Sequence, residues 1–372
     1  MARPTRALPL FRSSEPVEHA QADAAKRAHA DAAMRGLIVK VLITSTALVL
    51  LLLYLMPLGY SIATSLKSKN QVTDVQAPLL PAARVTFEQD GQAFDVLRVP
   101  MGGEVRELAI TRRGRANSAF VDPTDPGAGP IEWDGSWRTL EPVYVLDPKW
   151  QNYPTAFRFI NFFQLLRNTL MYAVITTIAA TFSAAIVAYG FARFRFPFKG
   201  VLFMLLISTI ILPSQATLVP TYAVFYRLGW VGTWLPLIVP TFFANAYNVF
   251  LLRQYFLTIP TELEEAARVD GAGPIRTFVS VILPQAVPAM IAVSLFHFFF
   301  AWNDFFGPLI YLAGSQELLP ISVGLFRFNG LYSSEPQLIQ AASIMTMIIP
   351  LIIFFFAQRF FMQGVVITGV DK

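Results

Sequence analysis

The sequence contains no cysteine among its 372 residues, and its three histidines are scattered at positions 19, 29 and 297. These absences exclude disulfides, thiol catalysis, cysteine-ligated metal sites and a histidine pair at metal-binding spacing. There is also no G-x-x-x-x-G-K-[ST] phosphate loop, no H-E-x-x-H and no G-x-S-x-G. We therefore expect neither a catalytic site nor a metal or cofactor site in this chain. If the protein uses ATP, a partner must supply the nucleotide site.

Charged residues are also scarce, at 14%, whereas 55% of the residues are hydrophobic and the mean hydropathy is +0.51. This composition indicates a membrane protein. Runs of about 20 apolar residues predict an all-α polytopic protein with six membrane spans. The predicted spans cover residues 37–63, 168–190, 201–220, 234–256, 286–311 and 338–361.

Basic residues lie mainly in every second connection between these spans, which predicts the orientation of the chain. The net charge of +5 is therefore better explained by membrane orientation than by nucleic acid binding. The segment before the first span contains six basic residues, and the loop after the second span contains three. Arg253 at the end of the fourth span is followed by Arg268 and Arg276 in the next loop, whereas the short loops on the opposite side contain only Arg227 and Arg327. Both termini are predicted to be cytoplasmic, in the inner membrane of a cell.

The ends of the chain and the first long loop form three further segments. Residues 1–36 are polar and too long for the start of a cleaved signal peptide, so we expect a cytoplasmic tail. Residues 362–372 are the predicted cytoplasmic C-terminal tail. Residues 64–165 are rich in Pro and Gly, contain short alternating runs and carry an Asp90-Gly91 hairpin signal. They predict a small, mainly β extracytoplasmic insertion, followed by the remaining five spans within residues 166–361.

Polar residues within the apolar spans are candidates for a substrate path: Asn245, Tyr247, Asn248, Asn303 and Asp304. Intramembrane polar groups also join helices by hydrogen bonds, which is the alternative interpretation for all five.

The segment 260–288, PTELEEAARVDGAGPIRTFVSVILPQAVP, lies between the fourth and fifth spans on the predicted cytoplasmic side. Thr261 and Glu264 have the spacing of a capping box, so a helix is predicted to begin there. Asp270-Gly271 ends it with a left-handed cap, and Pro274 begins a second helix. Leu283-Pro284 ends that helix or kinks it into the next span. Such a helix–turn–helix suits docking into a partner's groove, but it could also simply anchor the loop at the membrane surface.

This segment resembles the EAA loop of binding-protein-dependent ABC importer permeases. Glu265-Ala266-Ala267, Gly271 and Leu283-Pro284 occupy the motif positions, and Val281 stands where isoleucine is usual. The segments AYGFARFRFP (188–197), LPSQATLVPTY (212–222), WNDFFGPLIYL (302–312) and AQRFFMQG (357–364) resemble the carbohydrate branch, in particular the second permease subunit of maltose-type transporters. The resemblance covers residues 37–66 and 150–372. The insertion at 67–149 and the C-terminal ITGVDK depart from the family pattern.

The resemblance implies a six-helix permease that is not itself an enzyme. It implies a second homologous permease, two ATPase subunits that bind ATP and Mg, and an extracytoplasmic sugar-binding protein. The residues implied to couple this chain to the ATPase are Glu264, Glu265, Ala266, Ala267, Asp270, Gly271, Leu283 and Pro284.

Three alternatives remain at this point. The solute could be a polyol, glycerophosphodiester or peptide instead of a sugar. The chain could be a membrane sensor or scaffold with the insertion as its receptor domain, although a receptor needs no ATPase-docking segment. The insertion could contact the binding protein or a neighbouring permease domain, or it could have no part in transport.

Overall fold

The structure is a computed structural model that describes residues 15–328 and 335–366. Residues 1–14 of the predicted N-terminal tail and residues 367–372 of the predicted C-terminal tail lie outside the described residues. The chain divides into two units, with the border between Tyr60 and Ser61.

The first unit, where it is described, is a single helix. This helix, α1 (Glu15–Ser65), starts within the predicted tail, continues through the first predicted span and ends inside the second unit. The apolar side chains from Leu37 to Met56 are exposed within this chain, as expected for a surface that faces lipid or another subunit.

The second unit begins with an insertion that is mainly β structure. A short helix, α2 (Lys69–Thr73), precedes the strands. The strands are β1 (Ala82–Arg84), β2 (Thr86–Gln89), β3 (Gln92–Met101), β4 (Glu104–Arg112), β5 (Asn117–Val121), β6 (Ile131–Asp134), β7 (Glu141–Pro142) and β8 (Tyr144–Leu146). β1 pairs with β8 in a two-stranded sheet. The other sheet has the order β2-β3-β4-β5-β6, and β7 also pairs with β3; all pairs are antiparallel.

The predicted hairpin at Asp90-Gly91 is confirmed. Both residues have positive φ, 52° and 76°, between the paired Gln89 and Gln92, as a two-residue type I′ turn requires. Alternate residues of β3, β4 and β5 then face one apolar core that contains Val99, Leu108 and Phe120.

The two ends of the insertion meet at the end of α1. The Lys149 N–H donates to the Leu66 carbonyl (2.8 Å), and the Asn152 side-chain amide donates to the carbonyls of Ser65 and Lys67, each at 2.8 Å. These bonds satisfy carbonyls that the end of a helix leaves without partners.

The rest of the second unit is helical. The helices are α3 (Asn152–Phe159), α4 (Phe162–Arg193), α5 (Lys199–Ile211), α6 (Ser214–Arg227), α7 (Leu235–Ile238), α8 (Ala246–Thr258), α9 (Glu262–Val269), α10 (Pro274–Thr277), α11 (Leu283–Trp302), α12 (Phe306–Tyr311), α13 (Ile321–Gly324) and α14 (Pro336–Val366).

Helix α4 is the centre of this part of the molecule. It contributes Ala184, Ala185 and Ala188 to a core shared with α8 and α11, Tyr172 and Ala173 to a second core, and further residues to a third. The alanines allow close approach of the neighbouring helices, as small residues do in membrane bundles.

Five helical segments of the described chain are long and apolar enough to cross a membrane, or six if one bent pair counts as a single span. The bent pair is α5 with α6, whose axes differ by 100°, so the third predicted span is not one straight helix. α5 begins near α8, where the Arg253 guanidinium lies 4.2 Å from the Phe203 ring. Near the end of α6, the rings of Tyr222 and Phe225 pack against Tyr311 of α12. The two helices of the pair therefore contact different parts of the bundle. The bend follows Leu212-Pro213, where a proline cannot continue the helical hydrogen bonds.

The fourth and fifth predicted spans are also interrupted. Between α7 and α8 the helix stops at residues 243–245, and Asn245 caps α8 by accepting the N–H groups of Tyr247 and Asn248. α11 stops at Trp302, and Asp304 accepts the N–H of Gly307 in the first turn of α12. Short polar side chains thus begin new helices inside predicted spans.

Candidate functional site

Residues 260–288, termed the inner segment, form two helices joined by a sharp turn. α9 presents opposite faces at helical spacing: Glu264 and Ala267 are buried, whereas Glu265, Ala266 and Val269 are exposed. The predicted helix therefore exists, and its exposed face is accessible within this chain.

The predicted capping box between Thr261 and Glu264 is wrong. Thr261 itself has helical dihedral angles (φ −69°, ψ −25°), and its side chain makes no cap hydrogen bond. The Glu264 carboxylate instead turns inward, with its Oε1 2.7 Å from Arg193 Nε. A charged partner inside the protein competes successfully with a neutral backbone N–H.

The predicted turn at Gly271 is confirmed. Its φ is +80°, a left-handed conformation. The Gly271 N–H donates to the Arg268 carbonyl (3.1 Å), and the Ala272 N–H donates to the Ala267 carbonyl (2.9 Å). This is the Schellman arrangement that satisfies the last carbonyls of a helix.

Pro274 begins the second helix as predicted, and that helix continues into the fifth span. Residues Phe278–Ile282 form a π turn, in which the Leu283 N–H reaches five residues back to the Phe278 carbonyl. The wider turn makes room for Pro284, whose ring would clash with the carbonyl four residues earlier in a regular α-helix. Leu283-Pro284 thus marks a change of helical geometry. The helix that begins at Pro274 continues into α11 without a break.

Arg193, the last residue of α4, fastens the inner segment to the bundle. Besides the Glu264 ion pair, its Nη2 donates to the carbonyls of Phe256 (2.9 Å) and Ile259. The Arg193 and Glu264 side chains are 9% and 11% exposed. In the sequence, Arg193 contributes to the membrane-orientation pattern and lies in the AYGFARFRFP segment of the family resemblance, but it is not among the predicted coupling residues. Arg193 follows a long apolar run, in the sequence FARFRFP. A basic residue at the end of such a run is the sequence signal for a contact with the neighbouring loop.

Large apolar side chains near the turn are exposed to solvent. Val269 and Ile275 are 88% and 81% exposed, and Ile275 lies in an open groove of about 570 Å³ lined by residues 273–276, Val279 and Ser280. Exposed apolar side chains beside an ordered turn are typical of a protein–protein contact. Neither residue is among the predicted coupling residues.

The five candidates for a substrate path have different surroundings. Asn248 is buried, with its Nδ2 3.4 Å from His297 Nδ1 between α8 and α11. Asp304 accepts from the Tyr172 hydroxyl (2.8 Å). Asn303 is exposed and donates to the Phe299 carbonyl (2.8 Å), Asn245 is the helix cap described above, and Tyr247 is 47% exposed.

The five residues therefore do not line one surface. Asn248 and Asp304 join helices, which favours the packing interpretation for them. Tyr247 is the candidate with the most freely presented polar side chain. Among residues 15–328 and 335–366, no three His, Asp or Glu side chains lie together in a way that could hold a metal ion.

The sequence profile of a transport family matches residues 180–366, a stretch that includes the whole inner segment. Among curated proteins, the chain is 32% identical over 241 residues to the osmoprotective compounds uptake permease protein GgtD of Synechocystis sp., covering 64% of this chain and 80% of that one. It is 29% identical over 241 residues to the alpha-glucoside transport system permease protein AglG of Rhizobium meliloti, covering 62% of each chain.

A solved structure shares the fold. It belongs to a bacterial ABC transporter involved in the import of the acidic polysaccharide alginate, with a TM-score of 0.61 and 20% identity, covering 87% of this chain and 96% of that one. The predicted fold class is therefore confirmed, including the small β insertion after the first helix. The chain belongs to the family of binding-protein-dependent transport system inner membrane components.

Proposed function

We propose that this chain is the membrane subunit of an ATP-driven importer that takes up a sugar or oligosaccharide delivered by an extracytoplasmic binding protein. Membership of the permease family gives the transport role. The inner segment carries the proposal of ATP coupling, because it presents Val269 and Ile275 to a partner while Glu264 is anchored within the bundle. The alpha-glucoside permease among the relatives supports a sugar as the solute.

The partners in this proposal are a second homologous permease, two ATPase subunits and the binding protein. ATP and Mg bind to the ATPase subunits, since this sequence has no phosphate loop. The exposed face of α9, with Glu265 and Ala266, enters a groove on one ATPase, and Gly271 and Asp270 hold the turn. Both termini and the inner segment are cytoplasmic, and the insertion is extracytoplasmic.

Transport then follows from two alternative arrangements of the same subunits. ATP binding brings the two ATPase subunits together and displaces each docked helix. The spans reorient with it, and the solute site changes from inward to outward access. In this chain the displacement enters at α9 and has two routes: the Gly271 turn into α11, and the Arg193 ion pair into α4.

A second solute class is supported by other relatives. The sn-glycerol-3-phosphate transport system permease protein UgpE of Agrobacterium fabrum is 33% identical over 207 residues. A phosphorylated polyol, or an osmoprotective compound, is therefore the alternative to a sugar. A sensor or scaffold role remains a more distant alternative.

Purification of the complex tests the proposal. We expect an ATPase and a second permease to co-purify with this chain, and ATP hydrolysis to rise when a loaded binding protein is added. A panel of binding proteins with glycans, glycerol phosphates and polyols would identify the solute. Purification of the chain without any ATPase, under conditions that keep it folded, would contradict the proposal and favour the sensor or scaffold.

A further inference from the structure

Helix α4 is held by polar side chains at both of its ends, and each end contacts a different functional region. Its inner end, Arg193, contacts the inner segment through Glu264. Its outer end contacts residues 303–322, termed the outer loop, through Asn168, Thr169 and Tyr172. The proposed function uses the inner contact but gives no role to the outer one.

The inner contact joins three helices through one guanidinium group. Arg193 belongs to α4, its Nη2 donates to the carbonyls of Phe256 in α8 and Ile259 just after it, and its Nε faces Glu264 in α9. Because both side chains are about nine-tenths buried, separating them would leave two charges unpaired in a poorly solvated site. The ion pair therefore favours movement of α9 together with α4.

The outer contacts are equally specific. The Asn168 side-chain amide donates to the carbonyls of Glu317 (2.8 Å) and Leu319 (3.0 Å). The Thr169 hydroxyl accepts the N–H of Ile321 (2.8 Å), and the Tyr172 hydroxyl donates to Asp304 (2.8 Å). Asn168 and Thr169 are buried, so this loop is fixed to α4 by bonds that water does not easily replace.

Between these ends, α4 is a continuous helix of 32 residues without proline, about 48 Å long at 1.5 Å per residue. The alternative route from α9 to the outer loop passes through Gly271, Gly273 and the π turn into α11, which has Pro284 in its first turn. Glycines and a π turn are positions where a helix changes direction easily. α4 contains one glycine, Gly190, but neither a proline nor a π turn, so it is the stiffer of the two connections.

We propose that Arg193 is a positioning residue that locks α9 to α4, so that displacement of α9 by the ATPase reaches the outer loop through α4. This inference rests on the proposed function. It assigns to α4 the transmission of movement from the inner segment to the outer loop.

Hydrogen exchange in the purified complex, with and without a nonhydrolysable ATP analogue, tests both steps separately. In the unaltered complex we expect the analogue to change exchange in residues 261–277 and in residues 304–321. Arg193→Gln should keep the change in residues 261–277, because the docking face is intact, and should lose the change in residues 304–321. Glu264→Gln, which preserves the size of the side chain and removes its charge, should give the same result and replaces Arg193→Gln if that variant does not assemble.

Two further variants separate a specific role from general damage. The exchanged pair Arg193→Glu with Glu264→Arg should restore the response of the outer loop. Arg195→Gln, a matched loss of an exposed positive charge two residues from Arg193, should leave both responses unchanged. An unchanged response of residues 304–321 in Arg193→Gln and Glu264→Gln would overturn the inference, as would failure of the exchanged pair to restore it. Absence of any response in residues 261–277 of the unaltered complex would instead contradict the proposed function.

Discussion

Gly271 ends α9 at φ +80°, and nothing lies within 4 Å of the place where a side chain would begin. The requirement at this position is therefore conformational and not steric. A residue with a Cβ atom loses about 1–2 kcal/mol in the left-handed conformation. Proline is excluded more strongly, because its φ is fixed near −65° and it lacks the N–H that here donates to Arg268.

We predict that Gly271→Pro uncouples ATP hydrolysis from uptake while the protein stays in the membrane. The altered turn would misplace the exposed face of α9 without disturbing the spans. Gly273→Ala is the matched control, since Gly273 has an ordinary φ of −72° and open space around it. Uptake and ATP hydrolysis in reconstituted vesicles measure the effect. Normal coupled uptake by Gly271→Pro would show that the turn has no such role.

Asp74 holds a loop of the insertion in place through hydrogen bonds. Burial raises the pKa of Asp74, but hydrogen bonds from Arg84, the Gln76 N–H and Tyr144 outweigh this effect and hold the pKa below its ordinary value of 3.8. These bonds tie the loop after α2 to β1 and β8. A carboxyl group with a lowered pKa stabilises the folded state above its unfolded pKa, and the contribution disappears as the pH falls through the folded value.

We therefore predict that Asp74→Asn weakens the insertion at neutral pH by roughly 1 kcal/mol, the usual net value of such bonds. The difference from the unaltered protein should begin to shrink below about pH 3.8, where the unfolded carboxyl becomes protonated, and should disappear as the pH falls through the lower folded pKa of Asp74. Hydrogen exchange of residues 82–146, corrected for the intrinsic effect of pH, measures it. A difference that is constant from pH 7 to pH 3 would contradict the role of the charge.

At the scale of elements, the sequence patterns located most helices because long apolar runs and helix-ending residues act locally. The Asp90-Gly91 turn, the Gly271 cap and the Pro274 helix start were predictable for this reason. The Thr261–Glu264 capping box failed because Glu264 has a distant partner, Arg193, that no local pattern reveals. The breaks inside the spans depend likewise on side chains such as Asp304 that bond across helices.

The insertion is an element that can be removed as a unit. Its two ends are adjacent, since the Lys149 N–H donates to the Leu66 carbonyl, and Lys69 also forms an ion pair with Glu335 before α14. A short glycine linker from Lys67 to Lys149 would therefore replace it without stretching the chain. Neither the spans nor the inner segment would change.

We predict that this excision weakens binding of the loaded binding protein by about tenfold, or 1.4 kcal/mol, because the proposed function places the insertion on the side where the binding protein docks. Basal ATP hydrolysis should persist. Lys69→Gln, which removes only the ion pair with Glu335, is the control. Unchanged affinity and unchanged uptake after excision would assign the insertion no part in transport.

At the scale of the whole molecule, the described structure places the inner segment and the outer loop at different positions along α4. The inner segment presents apolar side chains at one end, the outer loop and insertion lie at the other, and α4 contacts both the inner segment and the outer loop. The sequence lacks a nucleotide site of the phosphate-loop type. The proposed ATP-driven transport therefore requires a separate ATPase that contacts the inner segment.

A photo-cross-linking amino acid at Val269, in the purified complex, tests this dependence most directly. Val269 is 88% exposed on the inner segment, and Val105, 66% exposed in the insertion, is the control position. If the inner segment docks on the ATPase, position 269 should form a cross-link to a subunit that mass spectrometry identifies by its phosphate loop. Position 105 should form no cross-link to that subunit. Absence of that cross-link from position 269, or the same cross-link from both positions, would contradict this docking.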